Sequence, residues 1–260
     1  MADVGYIAIV VAGFGAYWWR HLRHARARPR RMLRPLFSPD AEVALHVAAH
    51  EASVRRQEVS SLHVLYGLLQ DETTTQAIAT AGGNPDALED RVLAALERPY
   101  REPAGTYPTD PVEDGQRLIG RAASMARYGN RLASCADLWA YLGDSCAAHL
   151  VDTAKLDRAA VLFALFHGGR EPEVTLHGAG DVLVVLRNDH YTTQEFVCQM
   201  LRDVFALPNA QATAIMLATH TEGRAVVGRF PIETARAKIG EVRALSHAQH
   251  FPLWIGVEPA

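Results

Sequence analysis

The segment Val184–Val197, VVLRNDHYTTQEFV, constrains the fold of this chain more than any other stretch. An apolar, β-branched run typical of a strand gives way to the polar turn Asn188–His190 and then to an amphipathic helix starting near Thr192. A second segment, Ile215–Gly228, carries His220 at the end of a helix and continues into another strand. Strands and helices that alternate in this way predict a small α+β unit, in which a sheet packs on helices.

The same alternation extends over residues 179–260, after a linker at residues 168–178 that begins GGREPE. Thr192 and Asn209 are the expected N-caps of the first two helices. The pattern predicts strands at Val182–Leu186, Ala225–Phe230 and Leu253–Val257, and helices at Thr192–Phe205, Asn209–Thr221 and Ile232–His247.

Residues 38–167 contain an internal repeat. Asp40–Leu69 and Glu113–Leu142 align without gaps at an offset of 73 residues. Each unit predicts a long amphipathic helix, a turn and a second helix that begins at Ser60/Ser61 or at Ser134, where serine can cap. Shorter helices are expected after each unit, and four prolines in residues 99–112 prevent a continuous helix there. The matched pairs are Leu45 with Leu118, Ala49 with Ala122, Ser61 with Ser134, Leu65 with Leu138, Tyr66 with Trp139 and Leu69 with Leu142. Self-similarity of this kind favours a duplicated helical unit over the alternative of a generic helical bundle.

The N-terminal residues Val4–Trp19 are uncharged and mostly apolar. Sixteen helical residues span roughly 24 Å, somewhat less than the roughly 30 Å hydrocarbon core of a bilayer. Seven arginines follow within residues 20–34. We therefore expect a transmembrane anchor at residues 1–20, a basic juxtamembrane segment at 21–37 that contacts anionic lipid, and single-pass localisation in the cell membrane, with the N-terminus outside and the body cytoplasmic. The alternatives are a cleaved signal peptide, a buried helix or an RNA-binding arm.

Charge and motif content exclude several classes of function. Outside the seven arginines, 19 basic residues face 29 acidic ones, which argues against a nucleic-acid surface on the body. Cys135, Cys146 and Cys198 show no CxxC spacing, so neither a disulfide framework nor a zinc site is expected. His46 and His50 have a metal-ligand spacing but no evident third ligand, although His63 lies in the same region. No GxxxxGK[ST] loop is present, and we expect no ATPase activity, no metal and no cofactor.

From about Asp181 to Glu258, the segments quoted above closely resemble the ClpS adaptor family, which delivers proteins with destabilising N-terminal residues to a Clp ATPase–protease. The resemblance implies a three-stranded antiparallel sheet with three helices. It further implies a site that binds the α-amino group of the cargo, formed by Asn188, Asp189, Thr192 and His220. The hydrophobic pocket for the first side chain of the cargo would comprise Leu186, Gln194, Val197, Met216, Thr219 and Leu253.

This chain departs from the family pattern at four positions near that site. His190 replaces a second acidic residue and Thr193 replaces a proline. Gln194 stands where the family has a methionine that gates the pocket, and Thr219 stands where it has an aliphatic wall residue. The resemblance also places Glu233 and Lys238 at positions that contact the Clp N-terminal domain, although both residues equally suit a solvated helix face.

The repeat over residues 38–167 is similar to the Clp N-terminal domain, a double four-helix module that docks adaptors and substrates. The whole chain is thus expected to be multidomain: a transmembrane helix, an all-α duplicated domain and a small α+β domain. We interpret it as a membrane-anchored, non-catalytic adaptor for N-degron cargo. Its expected partners are the N-terminal domain of a ClpA/ClpC-type ATPase in trans or its own helical domain in cis, the N-termini of substrates, and the membrane, but no nucleic acid.

Two other interpretations of the chain stay open. In one, it is a non-catalytic scaffold that competes for Clp adaptor or substrate docking. In the other, it is an enzyme that uses Cys198 or Cys135 with a histidine, although no GxSxG or HExxH motif supports this.

Overall fold

The computed structural model describes residues 35–97, 111–174 and 180–260. The helical region, up to residue 167, consists of α1 Pro39–Arg55, α2 Ser61–Leu69, α3 Glu72–Thr80, α4 Pro85–Leu96, α5 Pro111–Tyr128, α6 Cys135–Leu142, α7 Ala148–Thr153 and α8 Arg158–His167. The α+β region consists of β1 Asp181–Arg187, α9 Gln194–Asp203, α10 Asn209–Glu222, β2 Arg224–Pro231, α11 Ile232–Ala248 and β3 Trp254–Pro259.

The repeat is visible as two helix pairs, α1 with α2 and α5 with α6. The first helices are offset by 74, because the buried Ala44, Ala48 and Ala52 of α1 correspond to the buried Leu118, Ala122 and Ala126 of α5. The second helices have the same offset, because Ser60 caps α2 and Ser134 caps α6. The turns agree as well, since Arg56 and Asn130 both adopt a left-handed backbone conformation, so the predicted offset of 73 is wrong by one residue.

The two serine caps differ in their partners. The Ser60 backbone nitrogen donates the reciprocal bond to Nδ1 of the buried His63 ring at 3.1 Å. Burial lowers the pKa of His63 to about 4, so the ring is neutral and accepts this bond. In the second unit the corresponding group is the carboxylate of Asp137, which accepts from the Ser134 backbone nitrogen at 2.8 Å. The first cap is thus neutral and the second is charged.

The sheet of the α+β region is antiparallel and has the strand order β2-β1-β3. The central strand β1 is apolar on both faces, with Val184, Val185 and Leu186 fully buried. One helix begins a residue later than expected, because Thr193 rather than Thr192 caps α9 and accepts from the Phe196 amide. Asn209 is the first residue of α10 rather than its cap.

The expected fold class needs correction at its first element. No helix within the described residues is long and apolar enough to cross a membrane. The longest, α5, has 18 residues but carries two acidic and three basic side chains. The anchor predicted at residues 1–20 falls outside the described residues, and its apolar run of 16 residues is short for a bilayer. The predictions of a transmembrane helix, of single-pass membrane localisation and of a membrane partner are therefore withdrawn, and the supported fold is an all-α region followed by a small antiparallel sheet with helices.

The segment that joins the two regions is bonded to both of them. Arg170 donates to the Thr80 carbonyl in the helical region at 2.8 Å. On the other side, the Pro172 carbonyl accepts from Arg243 on α11 at 2.6 Å. Residues 170–172 therefore help to hold α11 against the helical region.

His247, in the last turn of α11, connects three parts of the chain. Its Nδ1 lies 2.6 Å from Asp157, which caps α8, and its Nε2 lies 2.9 Å from Glu171 in the joining segment. Hydrogen bonds to Asp157 and then to Glu171 raise the pKa of His247 from 6.5 to about 10, against the opposing effect of burial. The ring is therefore charged at neutral pH and forms ion pairs with two carboxylates.

We predict that His247→Gln weakens the junction in a pH-dependent way. Below pH 6.5 the imidazole is protonated in both the folded and unfolded states, so its whole stabilising contribution is present, and it is lost as the pH rises to about 10. The variant should lower the free energy of unfolding by on the order of 1 kcal/mol near pH 6, and less at higher pH. Urea denaturation between pH 6 and pH 10 measures the difference. The exposed His149→Gln is the control, and a deficit that stays constant over this range would contradict the prediction.

Candidate functional site

The β1–α9 turn, residues 188–193, lies at the end of the central strand. The Asn188 backbone nitrogen donates to the Gly223 carbonyl at 2.8 Å, just where β1 and β2 stop pairing at Arg187 and Arg224. Gly223 has a φ of 82°, a left-handed conformation that glycine adopts without strain and that ends α10. This bond ties the turn to the C-terminal end of α10.

Asp189 organises the turn from within. It is buried, and its Oδ1 accepts from the backbone nitrogens of Tyr191 at 2.8 Å and Thr192 at 2.6 Å. Its Oδ2 accepts from the Thr192 hydroxyl at 2.7 Å. A carboxylate has about four acceptor positions, so one position remains for a ligand. Thr192, predicted to border the site, thus orients the carboxylate.

His220 lies in the last turn of α10, three residues before Gly223. Its side chain is exposed, whereas Asn188 is half-buried. Since Gly223 is bonded to Asn188, the structure brings the end of α10 to the same corner as the Asn188–Asp189 pair. The predicted α-amino-binding residues therefore converge from two elements that are distant in sequence.

Most residues of the predicted pocket form apolar core beside that corner. Leu186, Val197, Met216 and Leu253 belong to one hydrophobic cluster and are all buried. Thr219 is also buried, and its hydroxyl donates to the Ile215 carbonyl at 2.8 Å. Because that hydroxyl has a hydrogen-bond partner within α10, it does not require a water molecule at the wall of the predicted pocket.

Gln194 has a different position from the other pocket residues. It is the first residue of α9, is exposed, and lines a groove of about 350 Å³ between α9 and α10 together with Met216. Gln194 is thus exposed, whereas the remaining residues of the predicted pocket are buried.

Glu233 and Lys238 lie away from this corner, in the first two turns of α11. Glu233 is exposed and pairs with Arg236 on the same helix at 2.6 Å. Lys238 donates to the Val204 carbonyl and lies 5.4 Å from the centre of the Phe205 ring. The structure does not bring either residue to the helical region, which α11 contacts through His247, about 21 Å along the helix axis from Glu233.

Sequence reasoning missed the residues that join the β1–α9 turn to the helical region. The Tyr191 hydroxyl donates to Asp137 of α6 at 3.3 Å, and Asp137 also forms a two-pronged ion pair with Arg131 at 2.5 and 2.6 Å. His190 packs edge-to-face on Phe166 of α8, with ring centres 5.2 Å apart. An aromatic residue inside an otherwise polar turn was the one available signal. No group of three or more metal-ligating side chains occurs among the residues that the structure describes.

Comparison with known families and proteins gives matches for both regions. The family model described as "ATP-dependent Clp protease adaptor protein ClpS" matches residues 180–256, and the "Clp repeat (R) N-terminal domain" matches residues 36–134. The ClpS adapter protein of Syntrophus aciditrophicus is 44% identical over 70 residues, which cover 27% of this chain and 65% of that protein. The ClpS adapter protein of Acetivibrio thermocellus is 43% identical over 76 residues, which cover 29% of this chain and 77% of that protein.

A solved structure also matches. It is described as Agrobacterium tumefaciens ClpS2 bound to L-phenylalaninamide, and it is 32% identical, with 32% of this chain and 100% of that chain covered and a TM-score of 0.31.

We predict that Asp189 is required for the stability of the β1–α9 turn. Asp189→Ala leaves the buried amides of Tyr191 and Thr192 without an acceptor, which should cost about 1–3 kcal/mol in free energy of unfolding. Asp189→Asn keeps one acceptor oxygen and should lose less. Urea denaturation followed by circular dichroism measures both, with the exposed Asp203→Ala as the control. Equal stability of Asp189→Ala and the wild type would show that the turn does not depend on this carboxylate.

Proposed function

The chain belongs, through residues 180–256, to the ClpS family of ATP-dependent Clp protease adaptor proteins, and we propose that it binds the free N-terminus of cargo proteins and presents them to a Clp ATPase. The match of residues 36–134 to the Clp N-terminal domain gives this adaptor a second, helical region. The relatives described above are named as adapter proteins, which fits a binding role.

The convergence of Asn188, Asp189 and His220 at one corner is the observation that carries the proposal. An α-ammonium group has three N–H donors and needs three acceptors when it leaves water. The remaining acceptor position of Asp189, the amide oxygen of Asn188 and a ring nitrogen of His220 supply that number. The adjacent apolar interior receives the first side chain of the cargo.

The magnitudes fit an adaptor that must release its cargo. Each hydrogen bond to the ammonium contributes about 1.5–3 kcal/mol, and burial of one large apolar side chain contributes about 1.5–3 kcal/mol more. Association costs at least several kcal/mol, about 4 or more. With three such hydrogen bonds, the balance at the upper end of these ranges is about 8 kcal/mol, which corresponds to a dissociation constant of about 1 μM.

The position of Gln194 shapes the proposed preference for the first residue. Thr219 has its hydroxyl bonded within α10, so the interior wall stays apolar and accepts a large hydrophobic side chain. Gln194, at the rim beside Met216, offers a polar group near the pocket entrance. We therefore propose that first residues with an apolar body and a polar tip, such as tyrosine, are tolerated alongside leucine and phenylalanine.

The N-terminal part of α11 is proposed as the surface that meets a Clp ATPase in trans. Glu233 is exposed, and the helical region contacts the opposite end of the same helix at His247. The chain's own helical region therefore leaves Glu233 accessible to a separate partner.

We predict that the full chain binds peptides only when they carry a free N-terminus and a large apolar first residue. Asn188→Ala and His220→Ala each remove one acceptor for the ammonium group and should weaken binding by about 10- to 100-fold. Fluorescence anisotropy with peptides that differ only in the first residue, and with acetylated versions, measures this. The exposed Gln211→Ala and His149→Ala are the matched controls.

Two results would contradict the cargo site. One is binding that survives acetylation unchanged, because the ammonium group would then play no part. The other is the absence of binding to any free N-terminus by a chain whose circular dichroism shows it to be folded, and this result would favour a non-catalytic scaffold that competes for Clp docking.

We predict separately that Glu233→Ala weakens binding to the isolated N-terminal domain of a Clp ATPase by about three- to tenfold, since it removes one exposed charge from the proposed interface. Glu241→Ala, an exposed acidic residue two turns further along α11, should leave this affinity unchanged. Calorimetric titration of the full chain measures both. Equal weakening by the two substitutions would indicate a general charge effect and reject the assigned surface.

A further inference from the structure

A cleft of about 390 Å³ lies where the helical region meets the α+β region. Its volume is in the range of ligand-binding pockets, which start at about 300 Å³. Both regions contribute to its walls. They include Tyr141, Asp144 and Arg158 from the helical region and His190, Tyr191 and His250 from the α+β region.

The cleft lies next to the proposed α-amino site, because the same turn contributes residues to both. His190 and Tyr191 follow Asn188 and Asp189 in the same turn, and the carboxylate of Asp189 accepts from the Tyr191 amide. Phe251 also lines the cleft and packs on Phe196 of α9, with ring centres 5.0 Å apart. A cargo chain whose ammonium group is held at Asn188 and Asp189 therefore has the cleft directly beside it.

The neighbours of His190 come from both the helical region and the proposed α-amino site. Burial, and then the charge of Arg131, lower its pKa, while its other titratable neighbours are Asp137, Asp189 and His220. Two of these neighbours belong to α6 and the loop before it, and two belong to the proposed α-amino site. The His190 side chain thus lies between the helical region and that site.

The charge of the cleft favours an acidic occupant. Arg158 contributes a guanidinium, and its Nη2 lies 2.9 Å from the ring of His250, while its Nε pairs with Asp152 at 3.4 Å. The acidic side chain in the lining is Asp144, which already pairs with Arg121 at 2.6 Å. The guanidinium of Arg158 is therefore the cationic group that the cleft lining offers to an incoming chain, although its Nη2 also contacts the His250 ring.

We propose that this cleft binds the second and third residues of the cargo, with acidic side chains favoured over basic ones, so that the helical region forms the second half of the cargo site. The inference rests on the proposed function, since the first residue must be held at Asn188 and Asp189. The walls of Tyr141, Tyr191 and Phe251 provide ring faces and edges against which a peptide backbone packs.

The test uses the full chain and peptides that all begin with phenylalanine. Their second and third residues are Asp-Asp, Ala-Ala or Lys-Lys, and each peptide is prepared free and acetylated. In the wild type, Asp-Asp should bind about three- to tenfold more tightly than Lys-Lys. Arg158→Gln should reduce this ratio to below about twofold while binding still requires a free N-terminus.

A second variant is included because Arg158 also pairs with Asp152, so that Arg158→Gln changes the stability of the chain as well as the charge of the cleft. His250 has a φ of 58°, a conformation that asparagine tolerates well, so His250→Asn alters the cleft with little backbone strain. It should reduce the same ratio. Arg117→Gln, an exposed arginine of α5 outside the cleft, should preserve the wild-type ratio.

The outcomes separate this inference from the proposed function. A wild-type ratio near one, or a ratio that both cleft variants leave unchanged, would overturn the inference while dependence on a free N-terminus keeps the adaptor role intact. If no peptide binds the wild type, the proposed function fails and the inference fails with it.

Discussion

Asp137 has no exposed surface, and its carboxylate accepts hydrogen bonds from Arg131, Ser134 and Tyr191. It caps α6 through Ser134, pairs with both terminal nitrogens of Arg131, and accepts from the hydroxyl of Tyr191. A buried carboxylate is tolerated only when charge and hydrogen bonds compensate its loss of water. The hydrogen bond to Asp137 in turn raises the pKa of Arg131, as expected for such a pair. The β1–α9 turn is therefore anchored on a helical cap, and the proposed cargo site inherits its position from the packing of α6.

The two duplicated helix pairs differ in the side chain that completes the serine cap of the second helix. In the first unit the cap partner of Ser60 is the neutral, buried ring of His63, which satisfies the cap and nothing more. In the second unit a carboxylate occupies the same place, and a carboxylate can serve an arginine and a tyrosine at once. One half of the repeat thus stays internal to the helical region, while the other half has become the junction.

The sequence predicted what depends on local pattern. The polar turn after β1, the histidine that ends α10 and the apolar faces around Leu186 follow from periodicity and from family resemblance, and the structure places them at one corner. The offset of 74 between the repeat units was missed, because apolar and small residues such as Leu45 with Leu118 also coincide at an offset of 73. The contacts of Tyr191 and His247 were also out of reach, since they join residues 54 and 90 positions apart in the chain. The apolar N-terminal run misled us because composition alone does not distinguish a span from a shorter apolar segment.

On α11, the contact with the chain's own helical region and the proposed ATPase-binding surface lie at opposite ends of the helix. The helical region contacts the last turn of this helix through the charged ring of His247, and the exposed Glu233 is about 21 Å away along the axis. A helical module that occupied the Glu233 end in cis would exclude an ATPase from it, because a tether of a few residues gives a very high local concentration. Docking at the other end avoids that competition and places the helical region beside the α-amino site. If the proposed cleft binds cargo, the fusion of the two regions enlarges the cargo site.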